Sequence, residues 1–285
     1  MCVKPSIMAP VRLSDGSLTY RYFPPNADVR PLLDRETGEY FEPFEIGCGK
    51  CLECINLHKL QWTHRLLDEL KCHKHAMFLT LTYRPAPDFD GDLHPDHVQK
   101  FIKRFRKEVE PLRIRYYLCG EYGSKGYRPH YHVIIYGCTL ADSVPYKRDK
   151  KGFLMSRSPT LERLWPYGFS SILPANEITF GYVTKDMQKL LPLAKGRQQP
   201  FVRMSTHPGI GAAGWNRSLT DGKVWHNGKS CPLPRYYKKI AEREQLPGYS
   251  DMLRKMIVFN QNREPLNDYA QKKRVNDKKL RDLLK

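Results

Sequence analysis

The chain has 285 residues, 40% of them hydrophobic and 12% aromatic, which is enough apolar material for a sizeable globular core. Lys and Arg number 48 against 30 Asp and Glu, a formal net charge of +18 that suits a polyanionic partner and makes nucleic acid the first to consider. No run of 18 apolar residues occurs and the first residues lack an apolar signal core, so neither a membrane span nor export is expected.

Residues 1–47 are rich in proline and turn formers with little periodicity, and read as an extended, irregular arm. Cys48-x-x-Cys51-x-x-Cys54 follows, a knuckle-like spacing. With Cys119 and Cys138 in apolar strand-like runs, the eight cysteines fit a reducing cytoplasm better than a disulfide framework. Leu57, Leu60, Leu66, Leu67 and Leu70 form a helical stripe from about Ile55 to Leu70. Residues 76–83, Ala-Met-Phe-Leu-Thr-Leu-Thr-Tyr, read as a strand stopped by Pro85.

A second helix opens near Pro95 and buries Val98, Phe101, Ile102, Phe105 and Val109. Its other faces carry Lys100, Lys103, Arg104 and Lys107, and the last three are candidate DNA contacts. Strands are expected over residues 114–121 and 131–136, joined by a short loop with Gly123, Gly126 and Pro129. Residues 139–160 read as a polar surface insertion, 168–173 as a strand and 178–191 as a helix ended by Pro192. Pro200 to Trp215 is punctuated by Gly and Pro. Residues 263–285 read as a charged helical tail, in which Lys272, Lys273, Arg274, Lys278, Lys279 and Arg281 face phosphate or simply solvent. This order predicts an α+β fold, a central antiparallel sheet with flanking helices, between an irregular N-terminal arm and a basic C-terminal extension. The expected divisions are 1–75, 76–192 and 193–285.

The most informative stretch is Arg128-Pro129-His130-Tyr131-His132-Val133-Ile134-Ile135-Tyr136. Side chains alternate along a strand, so His130 and His132 share a face about 7 Å apart and can converge on one divalent ion. Glu121 closes the preceding strand, and pairing of the two strands would add its carboxylate as a third ligand. Two imidazoles and a carboxylate leave positions open for substrate oxygens, as phosphoryl chemistry requires. The same set also suits non-haem iron.

Downstream, Tyr182 and Lys185 lie three residues apart and would share a helix face. A phenol becomes a competent nucleophile when a metal polarises the phosphodiester and a cation steadies the developing charge. Taken alone, in a chain with 17 tyrosines, Tyr182 reads as a packing residue.

Together these residues resemble the HUH endonuclease superfamily of rolling-circle initiators and relaxases. Residues 78–83 are similar to its first motif, His130-Tyr131-His132 to its metal motif and Tyr182-Val183-Thr184-Lys185 to its tyrosine motif. Closer still, Cys48-Gly49-Lys50-Cys51-Leu52-Glu53-Cys54, Gly120-Glu121-Tyr122-Gly123, Pro208-Gly209-Ile210-Gly211 and Leu233-Pro234-Arg235-Tyr236-Tyr237 resemble the replication initiators of gokushovirus-type microviruses. The resemblance implies Mg²⁺ or Mn²⁺ on His130, His132 and Glu121, and attack by Tyr182 on single-stranded DNA at a viral origin. A 5′-phosphotyrosine link and a free 3′ hydroxyl would result, with Lys185 ordering the metal or the phosphate. It implies action in the cytoplasm of a bacterial host with host helicase and polymerase, and no Gly-x-x-x-x-Gly-Lys-Ser/Thr run is present. Positions four before and four after Tyr182 are Ile178 and Asp186, so this reads as a single-tyrosine enzyme.

Arg128, beside the histidines, is a further candidate DNA contact, and Tyr116, Tyr122, Tyr127 and Tyr131 are candidates for base stacking. The cysteine triplet is a possible structural Zn²⁺ site, with His58, Cys72, His73 or His75 as the fourth ligand. Alternatives are a plasmid-type relaxase or single-tyrosine transposase of the same chemistry, a non-catalytic DNA-binding protein, and a non-haem iron oxygenase.

Overall fold

The computed structural model describes residues 2, 5–25, 27–33, 38, 40–41, 43–87, 89–123, 126–149, 152–186 and 196–252. The chain divides into two compact units, residues 1–58 and 59–263 for its main part. In the first, β1 (Ser6–Arg12), β2 (Leu18–Phe23) and β5 (Phe44–Ile46) form a three-stranded sheet in the order β2-β1-β5, while β3 (Leu32–Leu33) and β4 (Tyr40–Phe41) make a short separate pair. The expectation of an irregular arm is corrected here. Prolines 5 and 10 break the alternation on which a strand reading depends, yet the 13–17 turn, with Gly16 at φ +83°, folds β2 back on β1. Helix α1 (Leu52–Lys71) begins in this unit and continues into the second.

The second unit is built on a seven-stranded sheet in which every pairing is antiparallel. In chain order its parts are β6 (Ala76–Tyr83), α2 (Pro95–Glu108), β7 (Arg115–Tyr122), β8 (Pro129–Tyr136), β9 (Val144–Arg148), β10 (Leu154–Arg157), α3 (Pro159–Leu164), β11 (Gly168–Pro174), α4 (Glu177–Asp186) and β12 (Phe201–Met204). The strand order is β12-β7-β8-β6-β11-β10-β9. The segment read as a surface insertion therefore folds as a hairpin that extends the sheet. Val144–Arg148 is exposed along its whole length, so no buried face betrays it in sequence. Likewise β12, inside the Gly- and Pro-punctuated stretch, pairs with β7 through Phe201↔Gly120 to Met204↔Tyr117.

Strand alternation divides the core. One face of the sheet presents Leu79, Leu81, Leu118, Tyr131, Val133 and Ile135 to α2 and α3. The other presents Phe78, Tyr117, Cys119, Ile134 and Tyr136 to Leu66 of α1 and to Phe180 and Val183 of α4. A sheet covered on both faces explains why 131–136 is a nearly continuous apolar run in a purely antiparallel context.

Beyond β12, β13 (Lys223–His226), β14 (Lys229–Pro232) and α5 (Arg235–Arg243) enclose a smaller core around Trp215, Leu233, Tyr237 and Ile240. This core is clamped to α1 by two of the motifs quoted above. The Tyr236 hydroxyl accepts from Gly209 N at 2.7 Å, and the Tyr237 hydroxyl donates to Asp68 Oδ2 at 2.8 Å. A Cβ on Gly211 would overlap both the Tyr237 hydroxyl and the Arg65 carbonyl, which is why glycine stands there. Residues 253–285, including the basic tail, and residues 187–191 of the expected helix lie outside the described residues. Among the described residues no helix is long and apolar enough to cross a membrane.

Candidate metal centre and nucleophile helix

The β7–β8 hairpin pairs Glu121 directly with His130, and Cys119 with His132. On the other side of β8, β6 places Thr82 opposite His130 and Thr80 opposite His132. Glu121, His130 and His132 consequently project from one face, and their ligating atoms lie within 4.8 Å of one another. His130 Nε2 is 2.7 Å and His132 Nε2 3.4 Å from the same oxygen, Glu121 Oε1.

The outer ring nitrogens are held separately. His130 Nδ1 lies 3.1 Å from the Arg128 carbonyl, which can only accept, so Nδ1 carries a proton. His132 Nδ1 lies 3.2 Å from Thr80 Oγ1, and donating there leaves its Nε2 lone pair for an ion. A 2.7 Å approach of an imidazole nitrogen to a carboxylate oxygen needs a proton or a cation between them. Burial pushes the Glu121 carboxyl up, but the hydrogen bonds and charge of His130 and His132 outweigh it and hold the group well below the usual carboxylate range. Glu121 is 2% exposed, and its two partners about 15%. The donor set, two imidazoles and an ionised carboxylate at the bottom of a shallow opening, fits a divalent cation with coordination positions left for substrate.

Tyr182 lies on α4, whose start is fixed by Asn176. That side chain accepts from the Ile178 and Thr179 amides, each at 3.0 Å. Phe180 and Val183 of α4 enter the apolar cluster that contains Phe78, and the Phe78 ring stacks on His132 at 5.3 Å. The tyrosine helix thus packs on the same face of the sheet as the histidine pair. Thr184 Oγ1 meets Thr63 Oγ1 of α1 at 3.1 Å, pinning the helix from its outer side. Tyr182 is half-buried, and a Cβ at the adjacent Gly181 would meet no atom within 4 Å. Lys185 occupies the backbone of α4 one turn on; its side chain lies outside the described residues.

The other candidates separate. Arg128 is exposed beside the histidines, with its guanidinium bonded to the Tyr83 carbonyl. It lines a cavity of about 870 Å³ together with Arg84, Arg197, Phe89 and Tyr127, at the end of β8 that carries His130. Lys103, Arg104 and Lys107 are on α2, which covers the opposite face of the sheet. Arg104 there donates to the Leu164 carbonyl at 2.8 and 3.1 Å, tying α2 to α3. Tyr122 and Tyr131 are fully buried on that opposite face, which removes them as base-stacking platforms. Tyr127 is exposed and Tyr116 partly so. Thr80 is the residue that spacing rules missed. A polar side chain two positions from another, Thr82, on one face of an apolar strand was its only signal.

The model of the replication-associated protein ORF2 family matches residues 76–191. Residues 76–191 form a replication-associated protein domain of that family. The stretch contains Glu121, both histidines and Tyr182. Three curated relatives agree with it. The chain is 29% identical over 222 residues to the replication-associated protein ORF2 of Spiroplasma virus 4, covering 70% of this chain and 68% of that protein. It is 30% identical over 153 residues to the replication-associated protein ORF4 of Chlamydia phage 1, covering 51% and 38%. It is 29% identical over 225 residues to the replication-associated protein VP4 of Bdellovibrio phage phiMH2K, covering 68% and 67%. The resemblance to microvirus replication initiators read from the motifs is borne out by these matches. No solved structure matches significantly.

Proposed function

We propose that this protein initiates rolling-circle replication of a small single-stranded DNA phage by nicking its origin, in the manner of HUH endonucleases. The observation that carries the reading is the shared face. His130, His132 and Glu121 converge their ligating atoms on the side of the sheet that α4, with Tyr182, covers. A Mg²⁺ or Mn²⁺ ion there would polarise the scissile phosphodiester. Glu121, ionised and buried, supplies the negative charge for the ion, while the Arg128 carbonyl and Thr80 hydroxyl keep both imidazoles in the ligating tautomer.

In this reaction the Tyr182 phenol oxygen attacks phosphorus, its proton passes to solvent, and the P–O3′ bond breaks. Tyr182 is left joined to the 5′ phosphate, and the departing oxygen takes up a proton as the 3′ hydroxyl that primes synthesis. Lys185, one turn along, is assigned to steadying the phosphate or the developing charge. Arg84, Arg128 and Arg197, with Phe89 and Tyr127, form a basic, aromatic-bearing hollow beside the histidines that suits a single strand. Host helicase and polymerase, in the cytoplasm of the bacterial host, would extend the primer.

The test is incubation of the full chain with origin-bearing single-stranded DNA and Mn²⁺, followed by a search for an SDS-stable adduct. Tyr182→Phe should abolish the adduct while leaving DNA binding within about twofold, since it removes one hydroxyl and no charge. An adduct that persists in Tyr182→Phe would remove this residue as nucleophile. Absence of any cleavage in the unaltered chain would favour a purely DNA-binding protein.

A further inference from the structure

The first unit has almost no core. Among its described residues only Ser6, Ala9 and Pro10 are buried, while Tyr20, Tyr22 and Phe44 are exposed. A unit this size ordinarily requires a staple, because its conformational entropy exceeds what so little apolar burial returns.

A staple of suitable geometry lies at the base of its sheet. Pairing of β1 with β5, Ser6 opposite Ile46, brings the residues before β1 beside those after β5. Cys2 meets the cysteine triplet there, and the four sulfurs of Cys2, Cys48, Cys51 and Cys54 lie within 4.8 Å of one another. Gly49 at φ +73° turns the chain so that the Lys50 and Cys51 amides point at Cys48 Sγ, at 3.5 and 3.3 Å. The Cys48 amide points at Cys2 Sγ at 3.3 Å. Helix α1 then starts at Leu52 and sets Cys54 in its first turn. Gly47 stands where a Cβ would come 2.9 Å from Cys54 Sγ, so the backbone closes tightly over the sulfurs. None of the candidates His58, Cys72, His73 and His75 joins the set, and Cys2 takes the fourth place.

We propose that Cys2, Cys48, Cys51 and Cys54 bind a single zinc ion as a closed, four-thiolate structural site that fastens the N-terminal strand to the start of α1. Tetrahedral zinc with bonds of about 2.3 Å separates its sulfurs by about 3.8 Å. Cys2 Sγ and Cys51 Sγ stand 3.8 Å apart, too far for a disulfide and closer than a cluster of several irons would hold them. Four protein ligands leave no position for substrate, so the site is structural and independent of the proposed nicking centre. On binding, the thiol protons pass to the buffer and the sulfurs coordinate as thiolates.

The experiment uses the full chain, without a histidine tag, purified under reducing conditions. Elemental analysis should give one zinc per chain, and exchange with cobalt(II) should give the visible bands of a tetrahedral thiolate site. Cys2→Ser should weaken zinc retention against a competing chelator by roughly tenfold or more, while Cys72→Ser leaves it unchanged. Should Cys2→Ser fail to fold, alkylation of the native chain decides the matter. Zinc should protect all four cysteines together, and its removal should expose all four. A zinc-free folded chain, iron–sulfur absorption in place of zinc, an unaltered cobalt spectrum in Cys2→Ser, or a Cys2 that alkylates at the same rate with and without zinc would each overturn the proposal. None of these readouts depends on DNA cleavage.

Discussion

Thr80 stands 3.2 Å from Nδ1 of His132, across the β6–β8 pairing that sets the two residues directly opposite. The hydroxyl is the only described acceptor for that nitrogen, and it fixes both the tautomer and the angle of the ring. Thr80→Val keeps the shape and β-propensity of the strand but removes the acceptor. We expect Mn²⁺ affinity, measured by calorimetry, to fall by about 10- to 100-fold with an unchanged melting temperature in chelator. Unchanged affinity would show that the ring is positioned by Phe78 stacking alone.

Gly181 precedes Tyr182 in mid-helix with open space beside its Cα. Alanine there should stabilise the protein by about 0.5–1 kcal/mol in urea unfolding, because glycine loses more backbone entropy on entering a helix. If the space receives the DNA strand, nicking should fall in the same variant. Stability and nicking rising together would show the space to be idle.

Glu69 is buried on α1 and gathers three donors, the Arg115 guanidinium, His73 Nε2 at 3.1 Å and the Gly211 amide at 2.7 Å. Through them it ties β7 and the 208–211 loop to the helix. Burial raises its carboxyl but the Arg115 hydrogen bond and the others outweigh it, so it titrates below its ordinary value. Glu69→Gln should cost about 2–3 kcal/mol at pH 7, allowing for the partial exposure of Arg115. A depressed carboxylate contributes fully above its unfolded pKa and loses that contribution as pH falls, so the gap between variant and parent should close in acid. A gap that stays constant down to about pH 3 would contradict the assignment.

His64, also on α1, is 2% exposed, and its ring lies edge-on to His226 at 4.8 Å. Burial, reinforced by the neighbouring His226, lowers it to about 4, against weaker opposing pulls from Asp68 and Glu177; Lys71 acts with His226. The unfolded chain then binds the extra proton between pH 6.5 and 4, so stability falls across that window on acidification, by at most about 3 kcal/mol. His64→Phe should flatten this part of the stability profile. A profile unchanged by the substitution would assign the acid sensitivity elsewhere.

Those parts of the fold with a single buried side were legible. Strand 76–83 has the bounds expected from its composition, and the stripe of Val98, Phe101, Ile102 and Phe105 gave α2 to within a residue or two. The convergence of Glu121 with the histidine pair followed from strand alternation and one short loop. What escaped was set by partners distant in sequence. Residues 6–12 and 144–148 are strands with little or no buried face, so no period marks them. Cys2 joins its triplet from 46 positions away, a proximity created by the β1–β5 register and invisible to local spacing. That α4 covers the histidine face rather than the opposite one depends on β11 pairing beside β6, which hydrophobicity does not encode.

The loop at 123–128 contributes only the Arg128 carbonyl to the histidine pair, whose ligands sit on the paired strands it connects. Its tip is therefore open to lengthening or shortening among related phages, so long as the strands meet in step. A slip of one position would turn Glu121 toward the α2 side and dismantle the ligand set without altering a single residue of it. Natural variation in origin preference can accumulate at that tip while the chemistry beneath it stays fixed.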